Sequence, residues 1–413
     1  MILRGRIFLG CTFTLLGVPA AQAADCSSTY DCTVTSGSYT SPYGLDSTGS
    51  SGDQDNDPGD GSAITITSQG DFTLGASSNP YVLHAQSNGG TPVDESTGGA
   101  GGAVTITSGG DLSLSQGSYD SELIAIDARS VGADADRDNQ NNGSPGGNGG
   151  MAGNVAVTST GSIVLGSSLP HGGIGIYALS QGGTGGEGNT EFGVNQPGGH
   201  GGAAGTVAVT NQGAITMGTG SAPLTSAERA WGIRAESNGG GGDPDPNGGD
   251  NDPASGAGVA GNTVTITNSG KISLHVDGTG SSTGGVKGIY ASSTGGDGAQ
   301  SSYNFNTGGS GGSGGSVDVD IDSGGDIDIS SARPLPDGGA GVHVLSSGGN
   351  GGLGNKQDSD GNGRGGSGGN GGSVSVNVSG AAVTTSGDNL VGVLATTTGG
   401  DGGGGDSENQ SSG

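Results

Sequence analysis

Apolar and polar residues alternate over short segments along most of the chain, and glycine separates one segment from the next. Three such segments follow one another in a fixed order, and this set recurs seven times at intervals of about 40 to 57 residues. One copy reads Val264-Thr265-Ile266, then Ile272-Ser273-Leu274, then Ile289-Tyr290-Ala291. Strict alternation over a few residues predicts β-strands with one buried face, and no stretch beyond residue 23 keeps a helical period.

Equivalent apolar positions open the segments in all seven copies. The first segments begin at Ile64, Val104, Val155, Val207, Val264, Val317 and Val374. The second segments begin at Phe72, Leu112, Ile163, Ile215, Ile272, Ile327 and Val383. The third segments begin at Leu83, Ile126, Ile176, Ile233, Ile289, Val342 and Val393. Three strands per repeat predict an all-β, single-stranded parallel β-helix of seven three-stranded coils, joined by long Gly/Asp-rich loops.

In such a solenoid each strand pairs with its equivalent in the next coil, about 4.8 Å away, so like residues stack on like. We expect aliphatic columns inside each sheet and one buried column of hydroxyl side chains. That column comprises Ser87, Ser130, Ser180, Ser237, Ser293, Ser346 and Thr397.

The first 23 residues have the pattern of a secretory signal peptide. Arg4 and Arg6 form a basic start, residues 7–18 are apolar but too short to span a bilayer, and Ala21-Gln22-Ala23 fits a cleavage site. A membrane anchor is the alternative. Residues 24–60 are interpreted as an N-terminal cap, residues 61–400 as the β-helix, and residues 401–413 as a Gly-rich loop at which the chain is truncated.

Two cysteines close together in an exported chain predict a disulfide between Cys26 and Cys32, placed where the first coil needs a cap. Metal binding is the rival interpretation, although two thiols without histidine partners make half a zinc site.

Composition supports an extended, exported protein. Glycine accounts for 99 of the 413 residues, and the repeat supplies the period that an ordered core needs. The net charge of −28 argues against binding to nucleic acid or to anionic membrane surfaces.

Acidic loops are candidate binding sites for calcium, the only cofactor that the sequence suggests. Two segments match the D-x-D-x-N-G start of a calcium-binding loop but lack the later glutamate, so a solvated acidic loop is the alternative. The candidate ligands are Asp243, Asp245, Asn247, Asp358, Asp360 and Asn362.

No set of residues predicts catalysis. Gly199-His200-Gly201 is similar to a motif of β-helical polygalacturonases, whose paired aspartates and basic motif are absent here. Alternating aspartates from Asp318 to Asp328 predict an outward acidic stripe. A non-enzymatic protein is therefore the expectation, and a β-helical enzyme acting on polysaccharide is an alternative.

The outward position of the third strand forms the candidate ligand-binding site. Aromatic and arginine side chains are common anchors of recognition surfaces, although exposed strand positions also favour aromatic residues. In successive coils this position holds His84, Asp127, Tyr177, Arg234, Tyr290 and His343, followed by Leu394. We expect these side chains to stand in a line on one face and to bind a glycan or a protein of another surface.

With its leader, short cysteine loop and repeats such as Gly175-Ile176-Tyr177-Ala178 and Gly232-Ile233-Arg234-Ala235, the chain resembles the N-terminal passenger domain of Gram-negative autotransporters. The resemblance covers residues 64–400 and the leader. It implies a right-handed β-helix, export through the inner membrane, display at the cell surface or outside the cell, and roles in adhesion, aggregation or biofilm.

The family also implies a C-terminal outer-membrane β-barrel as a partner domain, which this sequence does not contain. The remaining functional alternative is an extracellular matrix or filament protein stiffened by calcium.

Overall fold

The computed structural model describes residues 24–28, 30–52, 58–75, 80–92, 97–114, 122–135, 146–167, 169, 171–188, 190–191, 194–195, 197–224, 229–243, 255–277, 285–301, 307–335, 338–354 and 364–404. Every regular element in this part of the chain is a β-strand. It contains no helix with the length and apolar character needed to cross a membrane.

The strands form three long sheets. The first sheet contains β1 (Ala24–Ser28), β2 (Asp31–Val34), β5 (Ile64–Ser68), β8 (Val104–Ser108), β11 (Val155–Ser159), β16 (Val207–Asn211), β19 (Val264–Asn268), β22 (Val317–Ile321) and β25 (Val374–Val378). The second contains β3 (Ser38–Tyr39), β6 (Asp71–Leu74), β9 (Leu112–Leu114), β12 (Ile163–Leu165), β17 (Ile215–Met217), β20 (Ile272–Val276), β23 (Ile327–Ser331) and β26 (Val383–Ser386).

The third sheet contains β4 (Tyr43–Thr48), β7 (Tyr81–Asn88), β10 (Leu123–Val131), β13 (Gly173–Gln181), β18 (Arg229–Asn238), β21 (Gly285–Thr294), β24 (Gly339–Ser347) and β27 (Leu390–Thr398). A short hairpin of β14 (Thr190–Glu191) and β15 (Val194–Asn195) lies apart from these sheets. Apart from the antiparallel pair β1–β2, neighbouring strands within the three sheets run parallel.

This arrangement confirms the predicted parallel β-helix and its seven coils. An additional coil precedes them within residues 24–60, formed by β2, β3 and β4. Strand β1 pairs along the free edge of β2, and the Cα atoms of Cys26 and Cys32 lie opposite each other in that pair. Cys32 is disulfide-bonded, as the predicted cysteine loop requires.

Like residues stack on like in the core. Val155 pairs with Val207, Ile163 with Ile215, and all four side chains are buried. Each buried aliphatic side chain contributes roughly 1.5–3 kcal/mol through removal of its surface from water. The stack therefore supplies a continuous core that a single coil lacks.

The described parts of the Gly-rich segments between coils have a regular structure where only loops were predicted. One described arm follows the third sheet, and a second described arm precedes the first sheet of the next coil. Gly182 and Gly185 donate backbone hydrogen bonds to Asn238 and Gly241 of the next coil. Gly183 instead donates to Gly150 of a returning arm, at 2.9 Å.

Bonding partners in these arms thus repeat every three residues, the period of a polyproline II helix. The third residue of each triplet, such as Thr184, points to solvent. Glycine predominates at the other two, where the arms approach closely. A Cβ on Gly183 would lie 2.0 Å from the carbonyl oxygen of Ala133, and one on Gly240 would lie 1.9 Å from that of Gly183.

The predicted serine column joins these arms to the coils. Ser180 is fully buried, its hydroxyl donates to Gly153 O at 2.9 Å, and it accepts from Gly205 N at 2.7 Å. Ser237 repeats this bridge with Gly205 O and Asn262 N. One hydroxyl per coil therefore satisfies backbone groups of two successive returning arms, which fixes the arms against the β-helix.

Candidate functional site on the outer face of the third sheet

The third sheet has the longest strands and presents three outward columns, together called the third-sheet face. The leading column contains Tyr81, Ile124, Ile174, Trp231, Lys287 and Ala340. The central column contains His84, Asp127, Tyr177, Arg234, Tyr290 and His343. The trailing column contains Gln86, Arg129, Leu179, Glu236, Ser292 and Leu345.

An irregularity in each strand brings the leading column to this face. Ile174 and Ile176 are two residues apart, so simple alternation would place them on the same side. A Cβ on Gly175 would lie 2.8 Å from Ile215 Cγ2, so Gly175 faces the interior beside Ile176. Ile174 instead joins Tyr177 in an apolar cluster separate from the core.

The structure brings the six residues of the predicted ligand-binding column into one register, as expected. Their exposure differs from the expectation at one end of the column. His84, Asp127 and Tyr177 retain only 5%, 1% and 8% of their accessible surface, whereas Arg234, Tyr290 and His343 are partly exposed. The cause is lateral packing, because side chains of the leading and trailing columns cover the central one.

The buried end of the face is an ionic network. His84 Nδ1 lies 2.9 Å from Asp127 Oδ2, and His84 Nε2 lies 2.9 Å from Asp46 Oδ1. Asp127 Oδ1 also accepts from Arg129 Nε at 2.6 Å, and the Tyr81 ring stacks on the imidazole at 4.2 Å. Burial alone would disfavour a charged imidazole, but the hydrogen bonds to Asp127 and Asp46 outweigh it and raise the pKa of His84 to about 9.

This pKa predicts a loss of stability at alkaline pH. Because the folded pKa of about 9 exceeds the ordinary value of 6.5, the contribution of His84 is fully present below pH 6.5 and is lost as the pH rises through 9. The full contribution is about 3 kcal/mol, at 1.36 kcal/mol per pKa unit. Urea unfolding of the wild type and of His84→Gln between pH 6.5 and 9.5 should show a steeper decline for the wild type. Parallel declines would contradict the assignment.

Beyond this network, cations and aromatic rings alternate along the face. The guanidinium carbons of Arg129 and Arg234 lie 4.8 and 4.7 Å from the centroid of the Tyr177 ring. The Tyr177 hydroxyl donates to Glu236 Oε2 at 3.3 Å, and Glu236 also pairs with Arg234 Nη2 at 3.0 Å. Burial and the carboxylate of Glu236 raise the pKa of Tyr177. The ring is therefore held from both sides in one orientation.

Trp231 continues the series. Its Nε1 donates to Gly285 O at 3.0 Å, and Arg234 and Lys287 lie over its ring at 4.5 and 4.6 Å. Lys287 Nζ also lies 4.5 Å from the Tyr290 ring centroid, and the edge of His343 meets Tyr290 at 5.3 Å. Trp231 and Lys287 were not among the predicted site residues, because the sequence pattern suggests one outward position per third strand and the structure has three.

The other sequence candidates lie elsewhere. The aspartates from Asp318 to Asp328 point outward from the first and second sheets, as predicted. His200 is the solvent-facing residue of a glycine triplet, where its Nδ1 accepts from Ala257 N, so its flanking glycines serve arm packing. Within the described residues no group of three or more His, Cys, Asp or Glu side chains is placed to hold a metal.

The predicted calcium loops are largely untested by the structure. Asp243 lies at the end of a Gly-rich arm, where its backbone N donates to Gly199 O at 3.2 Å. The other five candidate ligands fall outside the described residues, namely Asp245, Asn247, Asp358, Asp360 and Asn362. Calcium binding at these loops stays a prediction.

The arrangement of the third-sheet face suits non-covalent recognition, since rings and cations are fixed by stacking before any ligand arrives. No family model matches the chain, and neither a curated protein nor a solved structure matches it significantly.

Proposed function

We infer that the protein is a non-enzymatic, surface-displayed or secreted passenger-type solenoid that acts in adhesion or aggregation through its third-sheet face. The observation that carries this inference is the concentration of recognition chemistry on one face of the rod. Three of the chain's eleven Lys and Arg residues, Arg129, Arg234 and Lys287, lie there with its single Trp, Trp231, and a fourth, Arg229, lies over the Trp231 ring.

Preorganisation supports a binding role. A ligand that meets side chains already held in place avoids ordering costs of about 0.5–1.5 kcal/mol for each side chain. On the third-sheet face, Trp231 is fixed by a hydrogen bond and three neighbouring cations, and Tyr290 by contacts with Trp231, Lys287 and His343. Tyr290 and His343 are also partly exposed, so this half of the face is accessible to a partner.

Adhesion by the purified protein tests the proposal. Beads coated with it should attach to cultured cells or to immobilised glycans, or aggregate with one another. We expect the double variant Tyr290→Ala, His343→Ala to lower attachment at least tenfold, the equivalent of about 1.4 kcal/mol, because it removes the accessible part of the face.

Val164→Ala is the control, since Val164 is an exposed apolar residue of the second sheet, at 41%. This variant should attach like the wild type, and circular dichroism should show that all the proteins are folded. Failure of wild-type beads to attach to any surface or to each other would refute adhesion. Equal attachment by the double variant would exclude the third-sheet face.

A further inference from the structure

Three cations surround the indole of Trp231 on the outer face of the third sheet. Arg234, Lys287 and Arg229 lie 4.5, 4.6 and 5.9 Å from its ring centroid. Glu236 pairs with Arg234 at 3.0 Å, and Glu122 lies 3.8 Å from Arg229. Within the described residues, Lys287 makes no ion pair with a carboxylate.

One uncompensated positive charge therefore lies at this position of a chain whose net charge is −28. Burial and the positive charges of Arg234 and Arg229 lower the pKa of Lys287 by more than the carboxylate of Glu236 raises it, so its surroundings disfavour the ammonium ion. The faces of Trp231 and Tyr290 offset part of this cost, because aromatic faces attract cations. An anion beside Lys287 would offset the rest.

The groups next to Lys287 indicate which chemical features, besides the negative charge, a ligand at this position would have. Tyr290 on the same strand and His343 in the next coil are partly exposed and present ring surfaces, while Leu345 of that next coil adds a partly exposed apolar side chain. A ligand with an apolar C–H face would pack against these rings while its charged group approached the ammonium. Sugars that carry an acidic group combine both features in one unit.

We propose that Lys287, Trp231, Tyr290 and His343 form a binding site for acidic carbohydrate, in which the carboxylate or sulfate of a sugar pairs with Lys287 and the sugar ring packs on Tyr290 and His343. This inference rests on the proposed adhesive function and specifies its ligand class. Carboxylate and sulfate share the anionic chemistry of the site, and separate probes distinguish them.

Trp231 provides the measurement, because it is the only tryptophan of the chain and lies in contact with Lys287. Its fluorescence is followed while the purified protein is titrated with oligogalacturonate, with a heparin oligosaccharide, and with a neutral malto-oligosaccharide of similar length. At least one acidic probe should shift the emission saturably and the neutral probe should not. The affinity should fall with salt, since the Debye length shortens from about 10 Å at 0.1 M to about 3 Å at 1 M.

Charge variants make the test specific. Lys287→Gln should lower the affinity for the acidic probe at least tenfold. Lys287→Arg keeps the charge, so its affinity should stay within about threefold of the wild-type value. Lys271→Gln removes the same charge from an exposed position immediately before β20 of the second sheet and should leave binding unchanged. Circular dichroism of each variant establishes that it is folded.

Three results would overturn the site: no saturable response to either acidic probe, an equal response to the neutral probe, or equal losses in Lys287→Gln and Lys271→Gln. The bead assay separates this failure from failure of the proposed function. Wild-type beads that attach to surfaces without a response to acidic probes would leave adhesion standing and remove the acidic ligand. Wild-type beads that attach nowhere would remove adhesion, whatever the fluorescence shows.

Discussion

Replacing Asp127 with asparagine is expected to lower the free energy of unfolding by about 3–5 kcal/mol, the cost of breaking a buried ion pair by removal of one partner. Asp127 is 1% exposed and accepts hydrogen bonds from both His84 and Arg129. Asparagine has a similar shape but no charge, and its amide group would turn a donor towards one of these two donors. His84 would then keep Asp46 as its remaining carboxylate partner, and Arg129 would lose its ion pair with Asp127.

The midpoint of urea-induced unfolding at pH 7, followed by circular dichroism, measures this effect. Asp320→Asn is the matched control, because Asp320 lies on the outer face of the first sheet, partly exposed, with a long contact of 3.4 Å to Asn377. The control should change the stability by less than about 0.5 kcal/mol. Equal midpoints for the two variants would show that the His84–Asp127–Arg129 network does not stabilise the fold.

Replacing Gly183 with valine is expected to destabilise the protein by on the order of 3 kcal/mol, at the upper end of the usual cost of overpacking. A Cβ at this position would lie 2.0 Å from the carbonyl oxygen of Ala133 and 2.4 Å from its carbon. Both atoms belong to the backbone of the preceding arm, so no side-chain rotation can relieve the overlap. The arm must move and lose hydrogen bonds such as that from Gly183 N to Gly150 O.

Thr184→Val is the control for this prediction, since Thr184 is the exposed third residue of the same triplet. Its stability should stay within about 0.5 kcal/mol of the wild type. Thermal and urea unfolding of the two variants gives the comparison. A Gly183→Val protein as stable as Thr184→Val would mean that the Gly-rich arms are loose loops and not packed against one another.

The inward half of the β-helix was predictable from the sequence because it depends on a local pattern. Alternation fixes which residues of β11 and β16 face the core, and repetition fixes that Val155 lies beside Val207. The register of His84, Asp127 and Tyr177 followed for the same reason.

Burial on the outer face was not predictable in the same way. It depends on contacts between neighbouring columns, such as Arg129 over the Tyr177 ring, and on the irregularity at Gly175 that turns the leading column outward. Alternation alone would have placed Trp231 inside. Trp231 is two residues from Ile233, as Ile174 is from Ile176. Only the backbone geometry at the glycine between them turns the first residue of each pair to the outer face and the second to the core.

The Gly-rich arms show a further limit. The triplets Gly182-Gly183-Thr184 and Gly185-Gly186-Glu187 carry a period of three that is visible in the sequence. The prediction of loops used only the conformational freedom of glycine. Its structural role here is the absence of a side chain where two backbones meet, as in collagen.

Site-directed labelling tests most directly whether the third-sheet face is the adhesive surface. Leu345→Cys places a thiol on this face, and Val164→Cys places one on the second sheet, where both side chains are at least partly exposed. Each protein is coated on beads before and after reaction with a bulky maleimide polymer. We expect labelling at 345 to reduce attachment to background and labelling at 164 to leave it unchanged. Equal attachment of the two labelled proteins would contradict this expectation.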